Sequence, residues 1–179
     1  MKYNPDIHHR RSIRLQGYDY SQNGAYFVTV CTQNKECLFG EIVGVKMAMN
    51  DAGAIAYDEW VKTSEMRENI KLDEFVVMPN HIHGIIIIHN VVDCSRGTMH
   101  RAPTVERFGN PTSNSVPTII RGFKSAVTKQ INVIRNMPGI PVWQRNYFEH
   151  IIRDEESLWK IREYIVNNPT NWQQDEMYR

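Results

Sequence analysis

The chain has little of what would place it at once. It has three cysteines, Cys31, Cys37 and Cys94, and no two of them form a Cys-x-x-Cys pair. That excludes zinc-ribbon spacing. The odd count argues against a disulfide framework, so a reducing cytoplasm is the expected setting. The longest unbroken aliphatic run is Ile85-Ile-Ile-Ile88, far too short to cross a bilayer. The opening Met-Lys-Tyr-Asn-Pro-Asp has no apolar segment, so no secretory signal is expected. There is no internal repeat, no phosphate loop and no dinucleotide fingerprint. A net charge of +1 gives no sign of a nucleic-acid partner by itself.

What is present is unevenly placed. The 179 residues are 41% hydrophobic and 23% charged, enough for one globular domain with a sizeable core. Residues 1–35 hold five cations against two acids, and residues 116–135 hold four cations and no acid. Acids collect in 51–74 and 149–163. Such segregation permits a basic face on a nearly neutral protein, although any single surface cation is more often just solvated. The candidates for nucleic-acid contact are Arg10, Arg11, Arg14, Arg121, Lys124 and Lys129.

The pattern predicts an irregular basic arm over 1–24, where arginine and tyrosine interleave as phosphate contacts and base stacking require. A single domain follows over 25–172, then a tail over 173–179. Ala25–Thr32 is β-branched and aromatic almost throughout and reads as a central strand. A weaker strand is expected over Cys37–Val45. Asn50-Asp51 offers a helix N-cap, with a helix from about Asp51 to Glu68. Residues 90–115 are rich in Gly, Pro, Ser, Thr and Asn and read as a long mobile or functional loop. A helix is expected over about Pro117–Asn132, and a third over Ile151–Val166, ended by Asn167-Asn168-Pro169. This order implies an α+β fold, with helices packed on a small antiparallel sheet.

The chemistry gathers around Phe75–His89, which reads as one buried strand. His81 and His83 alternate with Ile82, so they share one face of that strand. A lone strand histidine is usually a packed core residue. Two imidazoles side by side on one sheet face are a natural cradle for a divalent ion. If the third helix begins just before Tyr147, then Tyr147 and His150 share a helical face. His150 is then the expected third ligand, with Glu149 as runner-up and Gln144 weaker. Tyr147 would lie at the edge of the metal site. A metal-oriented phosphodiester beside a tyrosine suits nucleophilic attack by the phenol. The plainer reading is that Trp143, Tyr147 and Phe148 anchor a loop to the core.

Met78-Pro-Asn-His-Ile-His-Gly84 resembles the histidine-hydrophobic-histidine (HUH) strand of single-tyrosine transposases. Trp143-Gln-Arg-Asn-Tyr-Phe-Glu-His150, followed by Ile-Ile-Arg-Asp-Glu-Glu, resembles their tyrosine segment. Together with Gly17-Tyr-Asp-Tyr-Ser, Arg121-Gly-Phe-Lys-Ser125 and Tyr164-Ile-x-x-Asn-Pro169, the set is similar to the REP-associated tyrosine transposases from about Arg10 to Pro169. The resemblance implies a ferredoxin-like fold with the histidines on a central strand, and Mg²⁺ or Mn²⁺ as cofactor. It implies cleavage of single-stranded, hairpin-bearing DNA to a 5′-phosphotyrosine, and strand transfer. By position His81 and His83 match the metal ligands and Tyr147 the nucleophile. A monomer or homodimer in the bacterial cytoplasm, associated with the nucleoid and not the membrane, is expected. Imidazoles favour zinc and other transition metals, whereas Mg²⁺ prefers oxygen; phosphate and water oxygens can complete its shell. The alternatives are a DNA-hairpin binding protein of the same fold without cleavage, and a zinc-dependent hydrolase of a small substrate.

Overall fold

The computed structural model describes residues 18–89, 114–175 and 177–178. Most of the expected arm, up to residue 17, and the expected loop from residue 90 to 113 lie outside the described residues. Six strands and three α-helices occur among them: β1 Gly24–Cys31, β2 Gly40–Val43, β3 Lys46–Met49, α1 Asp51–Glu65, β4 Ile70–Met78, β5 His81–Ile88, α2 Val116–Ile134, β6 Phe148–Ile152 and α3 Glu155–Asn167. No helix among the described residues is long and apolar enough to cross a membrane.

Four strands form an antiparallel sheet in the order β4-β5-β1-β6. With α1 between β1 and β4, and α2 between β5 and β6, this is the expected ferredoxin-like arrangement. β2 and β3 form a separate hairpin in the connection from β1 to α1. They replace the one weak strand expected over Cys37–Val45.

The two faces of the sheet carry different helices. Tyr26, Val28, Val30, Ile82 and Ile86 pack with Trp60 of α1 and with Ile120, Phe123, Val127 and Ile131 of α2. Phe27, Ile85 and Ile152 pack on the other face with Ile165, Leu158 and Ile161 of α3. Period-2 alternation along each strand separates the two sets. At Gly84 a Cβ would meet Trp60 Cζ2 at 2.4 Å, so glycine there lets the indole lie flat against β5.

Two expectations change. Phe75–His89 is a hairpin, not one strand. β4 ends at Met78, the chain reverses at Pro79-Asn80, and β5 begins at His81. Proline lacks a ladder donor and falls at the reversal. The chain after Trp143 also does not enter a helix at Ile151. Phe148–Ile152 pairs with the outer edge of β1, Phe27 opposite His150 and Val28 opposite Glu149. α3 starts only after Asp154, whose Oδ1 accepts the Ser157 N–H at 2.7 Å. Glu155 and Glu156 in the first turn suit the positive end of the helix. The N-cap expected at Asn50 is present, its side chain accepting from the Gly53 N–H at 3.0 Å. Arg162 of α3 grips Asp73 of β4 with two parallel bonds, Nε to Oδ1 at 2.7 Å and Nη2 to Oδ2 at 2.5 Å.

A candidate metal centre beneath α3

His81 and His83 open strand β5, which has β4 on one side and β1 on the other. Both side chains are buried on the α3 face. Their rings lie edge to face with centroids 4.4 Å apart. Asp175, just beyond a short 3₁₀ turn at Trp172–Gln174, folds back so that one atom from each of His81, His83 and Asp175 lies within 4.8 Å of the others.

Hydrogen bonds orient each ring. His83 Nδ1 meets Thr29 Oγ1 at 2.8 Å, across the β1–β5 pairing of those two residues. His81 Nδ1 meets Asn80 Oδ1 at 2.8 Å. Both Nε2 atoms are left to face the centre. His83 Nε2 lies 3.1 Å from the Tyr164 hydroxyl, and His81 Nε2 is buried with no hydrogen-bond partner. Asn168 Oδ1 is also buried without a partner, while its Nδ2 donates to Asp175 Oδ2 at 2.8 Å. An unpaired imidazole nitrogen, an unpaired carboxamide oxygen and a carboxylate fit a divalent ion. Metal-bound histidines usually have their second nitrogen held as these are.

Burial pulls His81 down to about 4, against the opposing pull of the Asp175 carboxylate. Burial, and then the neighbouring His81, hold His83 well below the usual imidazole range. Both rings are therefore neutral at neutral pH, as ligands must be. This has a cost in acid. The unfolded chain takes up protons near pH 6.5 and the folded chain only near 4, so stability falls as pH drops through that interval. By pH 5 the loss from His81 alone should be about 2 kcal/mol. Urea unfolding of the metal-free chain at pH 7 and pH 5 measures it, and equal midpoints would contradict it. Glu59 and Asp73 do not add to this loss, because Lys62 and Arg162 hold their carboxyls below the usual range.

Other expected site residues fall elsewhere. Tyr147 packs with the cluster beneath α1 and α2, on the opposite sheet face, and its hydroxyl donates to Glu149 Oε2 at 2.6 Å. Glu149 is buried on that same face, opposite Val28. His150 is exposed on β6 and is not among the three residues whose ligand atoms converge. Because Phe148–Ile152 is a strand, Tyr147 and His150 point to opposite faces rather than along one helix. Gln144 lies beyond the end of β1, its N–H bonded to the Cys31 carbonyl.

Lys124 is half-buried, and its amine donates to the carbonyls of Gln144, Arg145 and Asn146 at 2.5, 3.4 and 3.2 Å. Burial draws it down to about 8. It clamps the 144–146 segment to α2. Arg121 and Lys129 are exposed on α2, and Arg10, Arg11 and Arg14 lie outside the described residues.

Tyr164, Asn168 and Asp175 are the neighbours that sequence reasoning did not place beside the histidines. Tyr164 and Asn168 stand four apart at the end of α3, one turn of one face, within the quoted Tyr-Ile-x-x-Asn-Pro segment. That spacing was a usable signal. Asp175 had none, since the last ten residues show no periodicity.

No family model matches the chain. A Haemophilus influenzae protein described only as uncharacterized is 47% identical over 179 residues, covering 99% of this chain and 97% of that one. Among solved structures, a REP-associated tyrosine transposase bound to a REP hairpin superposes with a TM-score of 0.54 at 17% identity, covering 93% of this chain and 75% of that one. This chain belongs to one family with the Haemophilus influenzae protein, and its fold is that of the transposase.

Proposed function

We propose that the chain is a metal-dependent enzyme that nicks and rejoins single-stranded, hairpin-bearing DNA through a covalent 5′-phosphotyrosine on Tyr164. The observation that carries this reading is the Tyr164 hydroxyl, 3.1 Å from His83 Nε2 at the edge of the His81, His83 and Asp175 group. The fold shared with a transposase bound to a REP hairpin supports DNA as the substrate.

His81, His83 and Asp175 would hold the ion, with Asn168 Oδ1 beside them. The two oxygen donors favour Mg²⁺ or Mn²⁺ more than a purely imidazole set would. A bound divalent ion would offset phosphate charge and orient the scissile group for in-line attack. Tyr164 is 46% exposed although its hydroxyl lies at the centre, so a strand can reach it from solvent. Phe27 and His83 hold its ring, with centroids 6.2 and 5.1 Å away. Its oxygen bonds to phosphorus, the bond from phosphorus to the 3′ oxygen breaks, and the phenolic proton passes through solvent to that leaving hydroxyl. Attack by another 3′ hydroxyl reverses these changes and joins the strands. Arg121 and Lys129 are cations available to the DNA backbone, as are Arg10, Arg11 and Arg14 in the N-terminal segment.

The test is incubation with a single-stranded oligonucleotide carrying a hairpin, with Mn²⁺ or Mg²⁺, followed by denaturing electrophoresis. A covalent protein–DNA band that a chelator abolishes is expected. Binding with no such band for either ion would leave a hairpin-binding protein and overturn the enzymatic reading.

A further inference from the structure

We propose that Asn80 is a positioning residue that assembles the metal centre, with one carboxamide setting the tautomer of His81 and docking the segment that carries Asp175. The proposal rests on the reading of His81, His83 and Asp175 as a metal centre.

Asn80 is completely buried at the reversal between β4 and β5. Its Nδ2 donates to two backbone carbonyls, Met177 at 2.8 Å and Lys35 at 3.3 Å. A carbonyl can only accept, so the nitrogen end of the carboxamide must face those two oxygens. Oδ1 then faces His81 Nδ1 at 2.8 Å and can only accept from it. That places the ring proton on Nδ1 and leaves the lone pair on Nε2, the buried atom without a partner. The His81 tautomer thus follows from two carbonyls on distant parts of the chain.

The backbone beneath the carboxamide is fixed, because the Asn80 main-chain carbonyl accepts from both the N–H and the hydroxyl of Thr32, each at 2.9 Å. The carboxamide itself is held at both ends, by the Met177 and Lys35 carbonyls and by His81. Its other consequence is the placement of Asp175. Met177 is held through its carbonyl by Asn80, and its N–H donates to Asp175 Oδ1 at 2.6 Å. Asn168 holds the other Asp175 oxygen. The carboxylate is therefore suspended between two asparagines, one from the turn before β5 and one from the end of α3. Thr29, by contrast, orients only His83, which meets Asp175 through the Tyr164 hydroxyl, 3.1 Å from His83 Nε2 and 3.5 Å from Asp175 Oδ2.

Two substitutions separate the two roles. Asn80→Asp keeps an acceptor for His81 Nδ1–H but sets an oxygen against the Met177 and Lys35 carbonyls, which frees the terminal segment. Asn80→Ala removes both functions. In the metal-free protein, nitrogen-15 NMR of the histidine rings should find His81 protonated on Nδ1 in wild type and Asn80→Asp. Asn80→Ala should give a mixture of tautomers. Calorimetric titration with Mn²⁺ should show affinity falling about 10- to 100-fold for Asn80→Ala, as for other groups that orient metal ligands. A smaller fall is expected for Asn80→Asp. Asp175→Asn should weaken Mn²⁺ while leaving the His81 tautomer unchanged. If Asn80→Ala does not fold, the other two variants decide. A wild-type protein with His81 protonated on Nε2 would overturn the proposal. So would wild-type Mn²⁺ affinity in both Asn80 variants. Wild-type protein that binds no Mn²⁺ would instead overturn the metal centre itself.

Discussion

Tyr164→Phe should eliminate covalent capture of DNA, a loss on the order of 10³-fold or more, because the covalent route disappears with its nucleophile. The substitution removes one oxygen and keeps the ring, so the edge contacts with Phe27 and His83 survive. Metal and DNA binding should persist, since no ligand and no cation changes. Tyr147→Phe is the matching control. Its hydroxyl bonds to Glu149 on the opposite sheet face, and losing it should cost some stability but leave the adduct. Mass spectrometry of the trapped complex identifies the modified residue. An adduct on Tyr147, or undiminished capture by Tyr164→Phe, would sink the assignment to α3. Cleavage without any adduct would point to metal-activated water.

The second large effect concerns the ion. His81→Ala or His83→Ala should each reduce Mn²⁺ affinity on the order of 100-fold or more, exceeding the loss from removing an orienting neighbour. Each also leaves a buried partner unsatisfied: Asn80 Oδ1 loses the His81 ring, and Thr29 loses that of His83. Circular dichroism must therefore establish that each variant is folded before its affinity is read. Asp175→Asn should come next in severity. His150→Ala should have little effect, because His150 is exposed on β6, opposite Phe27. Calorimetry on the four variants gives the ranking. A loss at His150 matching that at Asp175 would restore the third ligand expected from sequence. Metal affinity unchanged when both strand histidines are replaced would end the metal reading.

The sequence by itself determined what depends on near neighbours. Period-2 alternation puts His81 and His83 on one face of whatever strand holds them. Asn50 caps α1 through an N–H three residues away, and the apolar stripe of α2 lies within one helix. The order of these elements was enough for an α+β fold with helices on an antiparallel sheet, and the resemblance to the tyrosine transposases narrowed that to a ferredoxin-like one. Tertiary structure decided the rest. Ile151-Ile152 suits a helix or a strand, and the unpaired edge of β1 settled it as β6. That pairing also set the direction of Tyr147. With Glu149 opposite Val28, Tyr147 turns toward α1 and α2, and one residue of register would have turned it the other way. Tyr164 reaches the histidines only because α3 packs on the α3-facing residues Phe27, Ile85 and Ile152. Asp175 lies 92 residues after His83, as their numbers show, and nothing in its own surroundings marks it. Asn80, Asn168 and Met177 bring it to the centre, through hydrogen bonds that exist only once the end of α3, Asp175 and Met177 have packed beside the turn before β5.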